Sequence, residues 1–149
     1  ANSFHLNFNR LGEASDGGTT NAILMLNAAR GDMVFCGSVT CRKVQSNSKY
    51  STFATEGAIP ADCTAAGTVP LYFAWSQQNL DNWVSTSKAP PAPGYTNAGN
   101  PDGCLWASQD AAGSRTAAEA FVLPNGSHHV LAASKAGRAW ATSRGYTSA

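Results

Sequence analysis

Three histidines (His5, His128, His129), nine carboxylates and four tryptophans are the side chains here with the most chemistry to offer. Serine hydrolysis needs a nucleophile on a strained turn, an imidazole base and an orienting acid. No Gly-x-Ser-x-Gly occurs in the chain. Glycoside hydrolysis needs two carboxylates about 5–9 Å apart, and the acids here are scattered through turn-like stretches. A small hydrolase built on one histidine and one carboxylate has a single trio to draw on: Glu119, His128 or His129, and Arg138. Adjacent antiparallel strands would bring such residues side by side.

Metal and cofactor chemistry finds less. His128 and His129 are neighbours, so on a strand they point to opposite faces and cannot easily chelate one ion. Asn97, Asn100 and Asp102 supply oxygens without the spacing of a calcium loop. No glycine-rich phosphate motif is present. The sequence therefore predicts no cofactor and no metal. Arg30-Gly31-Asp32 is the adhesion tripeptide, but a turn that needs Gly between polar residues explains it equally.

Binding has more support. Sugars and flat organic ligands are held by stacking on aromatic rings plus hydrogen bonds from amides and hydroxyls. Trp83 follows Asp81-Asn82 and lies near Gln77 and Asn79, while Tyr95 lies near Asn97 and Asn100. These eight residues, Gln77, Asn79, Asp81, Asn82, Trp83, Tyr95, Asn97 and Asn100, are the expected ligand-binding set. Trp75 and Trp106 lie in apolar runs and are expected in the core.

The elements that must position these groups read as strands. Phe4–Phe8 alternates at period two. Ala22–Leu26 with Met33–Phe35, Val69–Trp75 with Asn82–Val84, and Ala120–Leu123 with His129–Leu131 form three hairpin patterns. The last closes on Asn125-Gly126, a favoured two-residue hairpin turn. Further strands are expected at Lys43–Gln45, near Tyr95 and at Arg138–Thr142. Only Asp110–Ala120 has helical composition, weakened by Gly113 and Thr116. The hairpins begin near Ala22, Val69 and Ala118, 47 and 49 residues apart, and each follows a short apolar run (Phe4–Phe8, Ser51–Thr55, Cys104–Ser108). Three units of about four strands predict an all-β, β-trefoil-like barrel, with a Greek-key β-sandwich as the alternative. The units match in pattern rather than residue identity.

With 149 residues, the chain reads as one domain, 1–149. It can bury one core unaided. Charged residues make up 13% against a usual ~25%. The net charge of +1 excludes nucleic-acid binding through bulk electrostatics. No apolar run is long enough to span a membrane as a helix. Ala1-Asn2-Ser3 lacks an initiating Met and reads as a mature or trimmed N-terminus. Four cysteines permit two disulfides in three connectivities; the preferred pairing is Cys36–Cys41 with Cys63–Cys104. Asn125-Gly126-Ser127 is a sequon for N-glycosylation. Ser85–Gly103 carries four of the seven prolines and is expected to be a stiff, ordered surface loop tethered at Cys104.

Phe4-x-Leu6, Leu26-Asn27-Ala28, Gly31, Phe35 and Gly37 together resemble the opening of small secreted fungal cell-wall proteins of the PhiA type. The resemblance covers about the first quarter of the chain. It implies a secreted, β-rich, surface-associated protein and carries no catalytic residues with it.

The expectation is thus a secreted binding protein, extracellular or cell-wall-associated, that recognises carbohydrate or a small polar-aromatic ligand. One alternative is an inhibitor or effector that engages a partner protein through the 88–103 loop. The other is the histidine–carboxylate hydrolase.

Overall fold

A computed structural model describes residues 4–6, 19–60, 63–64, 66–97, 99–108 and 116–149. The fold is mostly β. Its strands are β1 (Phe4–Leu6), β2 (Thr19–Asn27), β3 (Asp32–Cys36), β4 (Ser51–Pro60), β5 (Thr68–Pro70), β6 (Tyr72–Ser76), β7 (Asp81–Ser85), β8 (Thr96–Asn97), β9 (Cys104–Trp106), β10 (Thr116–Val122), β11 (His129–Ala132) and β12 (Thr147–Ser148). Two nine-residue helices, α1 (Val39–Asn47) and α2 (Lys135–Ser143), follow β3 and β11. All pairing is antiparallel, in sheets ordered β11-β10-β1-β9-β5 (with β12 also on β10), β3-β2-β4 and β7-β6-β8. No sheet closes on itself among the described residues.

The three expected hairpins are present and their registers repeat, but the run Val69–Trp75 divides at Leu71: Val69 belongs to β5, which pairs with β9, and only β6 pairs with β7. Leu26 pairs with Met33, Trp75 with Asn82, and Val122 with His129. A third strand then returns beside the first of each hairpin: Leu26 with Ser51, Trp75 with Thr96, and Val122 with Thr147. A buried tyrosine precedes each returning strand: Tyr50, Tyr95 and Tyr146. The chain is therefore three copies of one pairing scheme. The first and third also share residues, because Val34, Ser38, Arg42 and Tyr50 recur at identical spacing as Val130, Ser134, Arg138 and Tyr146. This corrects the expectation that the units match in pattern alone.

The two helices occupy places where strands were expected. Lys43–Gln45 lies inside α1, and Arg138–Thr142 inside α2. Each helix starts on a serine N-cap: the Ser38 hydroxyl accepts from Cys41 N at 3.0 Å, and that of Ser134 from Gly137 N at 3.0 Å. Such caps satisfy a backbone N–H that the first turn leaves without a partner. The shared arginine ties each helix to its hairpin, Arg42 donating to Asn21 O and Arg138 to Ala117 O. Each helix end returns through a left-handed residue, Lys49 or Gly145, and the following tyrosine N–H donates to Gln45 O or Ala141 O. The stretch expected to be helical ends as strand β10, and its residues 110–115 lie outside the described residues.

A buried carboxylate seals each helix start from a distant part of the chain. Asp102 accepts from Gly37 N at 3.0 Å and from the Ser38 hydroxyl. Glu56 accepts from Ala133 N at 2.8 Å and Ser134 N at 3.1 Å. Gly37 and Ala133 hold equivalent positions, yet only the first must be glycine. A Cβ on Gly37 would lie 2.2 Å from the Asp102 carbonyl oxygen. One apolar cluster joins the units and includes Leu24, Met33, Phe35, Ile59, Leu105 and Phe121. The disulfides are Cys36–Cys41 and Cys63–Cys104, the preferred pairing. No helix among the described residues is long and apolar enough to cross a membrane.

Candidate ligand-binding site

The polar residues at the hairpin ends form two buried stations built on the same plan. In units one and two a six-residue connection (Asn27 to Asp32, Ser76 to Asp81) starts with a polar side chain that accepts from the backbone three residues on. Asn27 Oδ1 accepts from Arg30 N, and Ser76 Oγ accepts from Asn79 N. The fifth residue is left-handed, Gly31 or Leu80, and the sixth is a fully buried aspartate. That aspartate accepts from its own unit's tyrosine and from a side chain of the next unit.

At the first station Asp32 accepts from the Tyr50 hydroxyl and, at 2.7 Å, from Asn82 Nδ2. Burial pushes the Asp32 carboxyl up to about 7, against the lowering effect of its Tyr50 and Asn82 hydrogen bonds. At the second, Asp81 accepts from the Tyr95 hydroxyl at 2.7 Å and from His129 N at 3.0 Å. His129 Nδ1 lies 2.8 Å from the same carboxylate. Burial raises the Tyr95 phenol to about 12. The third unit has His128 where the others have aspartate, and the buried Tyr146 hydroxyl has no partner.

The second station fixes Trp83. Its indole lies flat on the His129 ring, with centroids 3.5 Å apart and planes 6° from parallel, and Tyr95 meets it edge-on at 5.2 Å. With one face covered, only the opposite face of this half-buried indole can meet a ligand. Trp83 lines a cavity of about 500 Å³ together with Ser85, Thr86, Glu119, Arg138 and Ser148. Glu119 and Arg138 stand 3.9 Å apart, each rather more than a third exposed, and Glu119 Oε2 accepts from the Ser148 hydroxyl at 2.6 Å. Arg138 Nε has no partner.

The internal repeat separates what the backbone needs from what this cavity adds. The positions equivalent to Trp83 are Val34 and Val130, and those equivalent to Glu119 are Ile23 and Tyr72. The scheme folds with an aliphatic residue in the first place and no acid in the second. Comparison with known protein families, curated proteins and solved structures finds no match for this chain. The site's chemistry is therefore read from its own geometry.

The eight expected binding residues part company. Asp81, Asn82 and Tyr95 are buried, with their polar atoms engaged in the two stations. Asn97 Nδ2 donates to the backbone oxygens of Ser87 and Lys88, so it shapes the proline-rich loop. Gln77 and Asn100 are exposed and Asn79 is half-buried; Gln77 accepts from Trp75 Nε1 at 3.3 Å. Trp75 and Trp106, expected in the core, are only half-buried. Asn82 and Trp75 line a smaller cavity of about 210 Å³ with Arg30, while Asn100 and Asp102 line one of about 390 Å³ along α1. Of the eight, only Trp83 reaches the cavity with Glu119 and Arg138. That pair was weighed for hydrolysis, and their pairing across the β10–α2 corner was hidden behind the helix expected to be a strand. His129 is turned to Asp81 instead, and His128 Nδ1 lies 3.1 Å from the Ser127 hydroxyl. Among the described residues no cluster of three or more acids, histidines or cysteines is placed to hold a metal ion.

Proposed function

We propose that this chain is a secreted, non-catalytic binding protein whose Trp83 cavity takes a pyranose ring of a cell-surface glycan. The observation that carries the reading is the indole pinned on one face by His129, with a carboxylate–guanidinium pair across the cavity. A pyranose has an apolar C–H face that stacks on indole and an equatorial rim of hydroxyls. Glu119 accepts from such hydroxyls, and Arg138 and the Ser85 and Thr86 hydroxyls complete the set. A platform held by the Asp81–His129–Tyr95 network loses little entropy when a ligand docks. Two disulfides are compatible with an oxidising, extracellular setting. A cell-wall location, suggested by the PhiA-type opening, extends the same reading. The threefold register supports a β-trefoil-like arrangement as its scaffold.

The rival reading, in which the 88–103 loop engages a partner protein, draws on one observation. Asp102 locks that loop to the start of α1, so the loop is presented rigidly. The hydrolase reading has weaker support, since neither His128 nor His129 lines the cavity that holds Glu119 and Arg138.

A glycan array followed by titration calorimetry tests the proposal. Trp83→Ala is expected to weaken binding by ~1–3 kcal/mol, the scale of an aromatic hot spot, with near-ultraviolet dichroism otherwise retained. Glu119→Gln is expected to shift the preference among sugars. Binding of no glycan, or binding indifferent to Trp83→Ala in a folded variant, rejects it.

A further inference from the structure

The third hairpin departs from the other two at its tip. Units one and two close through a connection that ends in a buried aspartate bonded to the unit's own tyrosine. The third closes through Leu123-Pro124-Asn125-Gly126-Ser127-His128, a turn in which Gly126 N donates to Leu123 O at 2.8 Å and Gly126 is left-handed. Adopting it leaves the buried Tyr146 hydroxyl without an acceptor. Leaving a buried hydroxyl unbonded costs about 1–3 kcal/mol, so folding alone does not favour this tip over the repeated one. In exchange, Pro124, Asn125 and Gly126 stand exposed. Asn125 Oδ1 accepts from Ser127 N at 3.0 Å and from the Ser127 hydroxyl at 2.7 Å. The hydroxyl thus already engages the amide carbonyl, and the amide nitrogen has no protein partner among the bonds of this turn.

We infer that this tip is an N-glycosylation site and that Asn125 Nδ2 carries the glycan. The donor class is an oligosaccharide linked through its anomeric carbon to a polyprenyl diphosphate. Nδ2 forms the new N–C bond and gives up one proton. The anomeric C–O bond breaks, and the diphosphate leaves with its electron pair. The residue between Asn125 and Ser127 is glycine and the one after is histidine, so no proline blocks the sequon. The Trp83 cavity has none of these residues in its lining.

The test fuses a heterologous export signal to the chain in a host with an N-glycosylating secretory pathway. Protein is recovered from the medium with both disulfides oxidised, and the peptide containing Asn125 is mapped by mass spectrometry. The expected result is a heterogeneous glycan on Asn125, removed by peptide-N-glycosidase to leave aspartate. Asn125→Gln and Ser127→Ala should each abolish it, while Ser127→Thr retains it. An unmodified Asn125, or one only deamidated, in exported and oxidised protein overturns the inference. Because export is forced, that outcome is independent of where the protein naturally resides and of whether its cavity binds sugar.

Discussion

The first and third units share strand register, helix length, N-cap serine, tethering arginine and closing tyrosine, yet they differ in what lies beneath that tyrosine. Tyr50 donates to a buried aspartate that also engages the next unit's Asn82. Tyr146 finds histidine at the corresponding position and donates to nothing. The difference teaches that a backbone scheme can be held by a few caps and tethers while its buried polar pairs change. It also separates residues that keep the fold from residues free to serve another end, as Trp83, Glu119 and Asn125 illustrate.

The sharpest way to break the comparison is pH. Asp32 in the folded protein keeps its proton up to about pH 7, against an ordinary value of 3.8. Its folded value is raised, so its contribution to stability is fully present below about pH 3.8 and is lost as pH rises through 7. A shift of about three units corresponds to at most ~4 kcal/mol. Asp102, raised by burial to about 6, acts in the same direction over a lower window. Denaturant unfolding should therefore show greater stability at pH 5 than at pH 8. Asp32→Asn should flatten most of that difference, and an equally flat profile in the parent protein would refute the assignment.

The helix starts supply the next contrast. Gly37→Ala forces a methyl against the Asp102 backbone and should cost ~3 kcal/mol or more, at the upper end of overpacking. The mirror change in the third unit, Ala133→Gly, should cost only about 1 kcal/mol, the ordinary price of glycine flexibility. Equal losses in chemical unfolding would mean that Asp102 does not press on unit one as described.

The smallest effects separate the tyrosines. Tyr50→Phe removes the donor to Asp32 and should cost about 1–2 kcal/mol. Tyr146→Phe removes a hydroxyl that bonds to nothing and should be neutral, or stabilising by about 1 kcal/mol. Thermal unfolding of the two variants side by side reads the difference directly.

Much of this arrangement was legible as pattern. Ala22–Leu26 and Val69–Trp75 read as strands because their apolar runs are bounded by turn residues, and the cysteine spacing suggested the observed pairing. The helices were not legible from periodicity. Each spans nine residues and buries only two of them, so the apolar stripe that marks a helix is nearly absent. Ser38 and Ser134 as caps, and the matched Val-Ser-Arg-Tyr spacing that follows Val34 and Val130, were the signals available. Asp81, Asn82 and Tyr95 looked like surface residues because they are polar. Their burial depends on partners up to 50 positions away in sequence, which no local window contains. Trp83 was visible in the sequence as an indole beside polar residues, whereas the Glu119 and Arg138 that line the cavity with it come from β10 and α2.

The seal that Glu56 places on α2 has a consequence for how the chain comes to be folded. Its acceptor oxygen engages residues 77 and 78 positions further on. Until Ala133 and Ser134 have been synthesised, the Glu56 carboxylate lacks the two backbone donors that hold it in the complete chain. A nascent chain arrested after its second unit should therefore stay loose and protease-sensitive. Folding to the native state then waits on nearly complete synthesis, as expected for a topology dominated by distant pairings.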